Sequence, residues 1–133
     1  MLVAPTDDSA QRALAAEEQY ARVLDLAKSK RLSPLKWYKM WHGAYQQALA
    51  HQLDTVKGTA ASKRFLNAVA EQVAPRWAEL ELYDIIRRSV LGKTPLTLDQ
   101  LGRILEAFLQ ENVSRATRGQ PAIFARWDSQ PRR

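Results

Sequence analysis

The chain contains no cysteine. That excludes a disulfide-stapled scaffold, a thiol nucleophile and a thiolate zinc site, and it fits a reducing compartment. Histidine is nearly as scarce, with only His42 and His51 present. Nine residues apart on one helix, they fall on nearly opposite faces and cannot share a metal. The five glycines are isolated, so no glycine-rich loop cradles a phosphate, and no serine sits in a nucleophile elbow. Glu17 and Glu18 are adjacent, and Glu79 and Glu81 are two apart, so neither pair faces itself across a helix. With no convergent acid, base or nucleophile, the expectation is a protein that is not an enzyme and carries no metal or cofactor.

Long apolar runs are missing too. None approaches the roughly 20 residues of a membrane span, so no membrane partner is expected. The opening MLVAPTDDSAQR has neither a basic nor an apolar signal-peptide region, which sets the expectation of a cytoplasmic location. No strand-like alternation, internal repeat or low-complexity tract is found.

What remains is helical patterning. An apolar content of 46% is that of a globular chain, which argues against wholesale disorder, and 133 residues suit one core. The expected fold is all-α: a single-domain bundle of about five helices over 1–118, with an extended, basic, proline-containing tail over 119–133. The organising stretch is Arg31–Leu53, RLSPLKWYKMWHGAYQQALAHQL. Ser33 followed by Pro34 is a helix start, because serine can accept from a free first-turn amide and proline gives up an amide that has no partner. Leu35, Tyr38, His42, Tyr45 and Leu49 recur at helical spacing beside a row of Trp37, Trp41, Ala44 and Ala48, leaving Lys36, Lys39, Gly43, Gln46 and Gln47 for the other side. Gly58 then reads as the stop.

A first helix is expected to begin between Thr6 and Ser9 and to fade in the basic run Lys28–Arg31. A third runs from Thr59 to Ala74, where Pro75 breaks it. The fourth, Arg76–Leu91, carries Trp77, Leu80, Leu82, Tyr83, Ile85, Ile86 and Val90, so many apolar residues that burial on more than one side is expected; Gly92 ends it. Thr97 and Gln100 make a capping box for the fifth, whose stripe is Leu98, Leu101, Leu105 and Phe108. Leu96–Gly102 and Val113–Thr117 have the look of helix-turn-helix pieces, but the unbroken amphipathic stretch 103–112 holds them about two turns too far apart.

Charge is unevenly spread. The formal net charge is +6, and residues 28–64 carry eight bases against Asp54, while 112–133 carry five arginines against Asp128. A central basic belt and a basic tail point to an anionic partner. Lysines interleaved with aromatics suit phosphates and bases, but Trp37 and Trp41 at helical spacing are expected to serve the core, leaving the lysine strip for contact. The leading expectation is therefore a nucleic-acid-binding accessory protein (DNA or RNA), with Lys28, Lys30, Arg31, Lys36, Lys39, Lys63, Arg64, Arg115, Arg118 and Arg126 on the phosphates. The alternative is a helical protein-interaction module that binds an acidic protein or self-associates as a homo-oligomer, with Ile123, Phe124 and Trp127 docking on a partner.

Overall fold

The computed structural model describes residues 3–119, with side chains from residue 8 onward. Five α-helices follow in order: α1 (Val3–Leu26), α2 (Pro34–Ala50), α3 (Gly58–Gln72), α4 (Pro75–Val90) and α5 (Leu98–Thr117). One turn of 3-10 helix, Asp54–Val56, precedes α3, and no strand occurs among the described residues. The all-α bundle is as expected. The tail residues Ile123, Phe124, Arg126 and Trp127 lie outside the described residues.

Local chemistry explains most of the boundaries. Ser33 Oγ accepts from the Lys36 amide at 3.2 Å, with Pro34 at the first helical position. The α5 capping box is complete: the Gln100 amide donates to Thr97 Oγ1 (3.2 Å) and the Thr97 amide donates to Gln100 Oε1 (2.9 Å). α1 begins earlier than expected, at Val3, because Pro5 falls in the first turn, where a missing amide costs nothing. The end of α2 also differs. It stops at Ala50, short of Leu53, and the chain reverses through Gln52 at φ 56°. The Leu53 amide donates to the Ala48 carbonyl and the Gln52 amide to the Leu49 carbonyl, the paired bonds of a Schellman stop. Glycine usually occupies that left-handed position; glutamine there gives no sequence signal. Gln52→Gly should therefore raise stability by about 1 kcal/mol, measured by urea denaturation.

α1 and α2 pair antiparallel, Val23 meeting Trp37 and Tyr20 meeting Trp41; α3 packs with α4, and α5 packs against α2 and α3. Trp41, fully buried, is the hub. Its ring sits 4.5 Å from Phe65 of α3 and 4.8 Å from Tyr45, and its Nε1 donates to the Tyr20 hydroxyl of α1 at 3.1 Å. Trp37 Nε1 donates to the Val23 carbonyl at 2.8 Å. The last turn of α1 tightens into i→i−3 bonds from Ala27, Lys28 and Ser29, and the indole supplies a donor to the Val23 carbonyl at that helix end. α5 approaches closely because Gly102 faces Trp41; a Cβ there would stand 2.8 Å from the indole edge.

The expectation for α4 is overturned. Trp77, Ala78 and Ile85 are buried against the bundle, but Leu80, Tyr83, Ile86 and Val90 face solvent. Among the described residues α4 packs chiefly on α3, and they cover only one of its faces.

Candidate nucleic-acid interface

The aromatic and basic sides of α2 separate. Trp37, Tyr38, Trp41 and Tyr45 are buried, while Lys36 and Lys39 are exposed on the solvent side with Gly43, Gln46 and Gln47. The indoles are already committed to Val23 and Tyr20, so they offer no stacking platform for a base. Burial pushes the Tyr20 and Tyr38 phenols up to about 12 and raises Tyr45, so all three stay protonated near neutrality.

The expected cations form more than one group. Lys28, Lys30 and Arg31 lie in the connection between α1 and α2, directly before the N-cap Ser33, and Lys36 and Lys39 follow on α2. Arg115 and Arg118 come from the far end of α5. Those two regions meet: Pro34 and Leu35 form one bank of an apolar groove of about 350 Å³, and Val113 and Ala116 form the other, over Trp77 and Phe108. The α1–α2 cations and the α5 arginines thus belong to one end of the bundle. Lys63 and Arg64 do not join them. They sit on the first half of α3, near the opposite end of α2, where Arg64 Nη1 donates to Thr55 Oγ1 at 2.6 Å.

Local pairing divides the set further. Lys28 lies 3.4 Å from Asp25, an exposed pair of little strength. Glu111 serves both Arg115 (3.5 Å) and Arg118 (3.6 Å). Arg115 Nε is closed off from solvent and makes no hydrogen bond, so the Glu111 contact holds it by charge alone. Lys30, Arg31, Lys36 and Lys39 are exposed and form no ion pair with any described carboxylate. Lys36 lies in the first turn of α2, the positive end of its dipole, where a cation is disfavoured by about 0.3–1 kcal/mol; Lys30 and Arg31 just precede that turn and Lys39 follows it.

A second, polar hollow of about 230 Å³ lies between α2 and α5, lined by Tyr38, His42, Gln46, Asp99, Arg103 and Glu106. Two pairs of its groups are engaged with each other. His42 Nε2 is 3.2 Å from Gln46 Nε2, which makes that ring nitrogen the acceptor, and Arg103 Nε donates to Asp99 at 2.9 Å. His51 caps the other end of α2, apart from this hollow. No group of three or more metal-ligating side chains occurs among the described residues, and no described helix is long and apolar enough to cross a membrane. Comparison with known families, curated proteins and solved structures finds no match.

Proposed function

We propose that the protein is a non-catalytic, cytoplasmic accessory protein that binds nucleic acid through the phosphate backbone. The observation that carries this reading is the concentration of Lys30, Arg31, Lys36 and Lys39, exposed and without an ion pair to any described carboxylate, before and within the first two turns of α2. An anion bound there offsets both the mutual repulsion and the unfavourable dipole interaction. Arg115 and Arg118 extend the same end, and the tail arginines, Arg126 among them, add further positive charge along the strand. With Trp37, Trp41 and Trp77 inside, recognition by the described residues rests on charge rather than stacking. Binding should therefore be indifferent to base sequence and steep in salt.

Fluorescence anisotropy with single- and double-stranded DNA and RNA at low and moderate salt tests this. Wild type should bind at low salt. Lys36→Glu with Lys39→Glu should weaken binding at least tenfold and reduce the salt slope by roughly two, with the unfolding transition unchanged or raised, since an acid in the first turn of α2 suits its dipole. Absence of binding to every nucleic acid at low salt would overturn the reading. A second reading, a helical interaction module, is favoured by one observation of its own, the uncovered apolar face of α4.

A further inference from the structure

We infer that the chain's own residues 120–125, QPAIFA, turn back at the end of α5 and seat Ile123 and Phe124 in the apolar groove between α2, α4 and α5. The inference stands apart from the nucleic-acid reading, and its test contains no nucleic acid.

The groove of about 350 Å³ follows one face of the last turns of α5, where Phe108, Leu109, Val113 and Ala116 recur at helical spacing. Leu35 stands on the opposite bank and Trp77 lies beneath. No charged side chain lines it among the described residues. Val113 is 51% exposed, and Ala116 is exposed as well, so the described residues leave the α5 bank open to water. A surface of this kind favours an apolar, uncharged segment over a basic or acidic one.

The course of the chain selects the tail as that segment. α5 ends one turn beyond Ala116, and Gly119 takes φ 77°, the left-handed stop that turns the backbone off the helix axis. Fourteen residues follow. Pro121 cannot continue the helix and favours extended backbone for itself and for Gln120. Phe108 lies 11 residues before Gly119, about 16 Å back along the axis at 1.5 Å per residue. An extended chain advances about 3.3 Å per residue, so Ile123 and Phe124 reach about 13–17 Å. Running back along α5, they arrive at the level of Leu109 and Phe108, over Trp77. Residues 120–125 carry no charge, as the lining requires, and Arg126 is the first charged residue beyond them. The outward face of α4 fits the tail less well, because that helix runs away from the groove and Val90 lies 13 residues past Trp77. A short tether also raises the effective concentration to about the millimolar range, so even a weak apolar contact fills the groove from the same chain before a free partner does.

The lack of cysteine makes a direct test simple. Ala125→Cys in the full chain accepts a single nitroxide beside Phe124, and its paramagnetic broadening of backbone amide signals reports proximity. A chain end that merely hangs from Gly119 would broaden Val113 and Ala116 through its attachment alone, so the readout is Leu35 and Val73, which are remote in sequence. Both should lose most of their intensity, while Lys63, toward the other end of the bundle, keeps its own. Ile123→Ser with Phe124→Ser, in the labelled chain, should restore Leu35 and Val73. Val113→Glu, an exposed change on the α5 bank, should do the same, with the remaining amide signals showing that the bundle is intact. Isotope-labelled chain without nitroxide, mixed with nitroxide-bearing chain of natural isotopes, should show no broadening. Intact signals at Leu35 and Val73 would overturn the inference. So would broadening that survives the serine or glutamate substitutions, broadening centred on Val90, or broadening that appears in the mixed sample.

Discussion

Replacing Trp41 with alanine should cost about 3–5 kcal/mol of folding stability. The residue is wholly buried where four helices meet: its own α2, Tyr20 of α1, Phe65 of α3 and Gly102 of α5. Removing the indole leaves a void among side chains held on separate helices, so local collapse cannot fill it. It also removes the donor to the buried Tyr20 hydroxyl. Against a total of about 5–15 kcal/mol for a domain this size, that loss brings the chain close to unfolding at ordinary temperature. Urea denaturation followed by circular dichroism reads the effect. Trp41→Phe, which keeps much of the volume, should cost markedly less. Anion binding at low temperature, where the Trp41→Ala chain is still folded, should be unchanged. If the substitution spares stability and removes binding, the division of α2 into a core side and a contact side is wrong.

That division is legible in the sequence, because helical periodicity separates Trp37 and Trp41 from Lys36 and Lys39 on one wheel. The start of α2 at Ser33 and Pro34, the capping box at Thr97 and the stop at Gly92 are equally legible, since each depends on side chains acting on their own local backbone. The features that escape depend on neighbours distant in sequence. Gln52 takes a left-handed conformation that its residue type does not announce. The apolar residues of α4 suggest burial on several sides, but an edge helix with α3 as its main neighbour covers only one; composition records that a face is apolar, not what covers it. The basic belt looks continuous because its members are close in sequence. Folding sends Lys63 and Arg64 toward one end of α2 and brings Arg115 and Arg118 to the other.

Gly102 is the sharpest of these cases, and its replacement is the second large effect expected. In an exposed helix interior, glycine to alanine is stabilising by about 1 kcal/mol. Gly43, on the solvent side of α2 with nothing within 4 Å of an added Cβ, should show that gain. At Gly102 the sign should reverse. An added Cβ would stand 2.8 Å from Trp41 Cη2 and 2.9 Å from Cζ3, far inside the ~3.5–4.0 Å of ordinary carbon contact. The indole has no room to yield, being held by Phe65, by Tyr45 and by its bond to Tyr20. α5 must then move off α2, loosening Leu101 and Leu105, both fully buried. Overpacking of this kind costs about 1–3 kcal/mol, so Gly102→Ala should be destabilising despite the helix gain, and Gly102→Val more so. A double-mutant cycle isolates the cause. Trp41→Phe removes the ring edge that the new methyl meets, so Gly102→Ala should be nearly neutral in that background, a favourable coupling of about 1 kcal/mol or more. Additive losses in the cycle would mean that Gly102 is required for some reason other than its contact with Trp41.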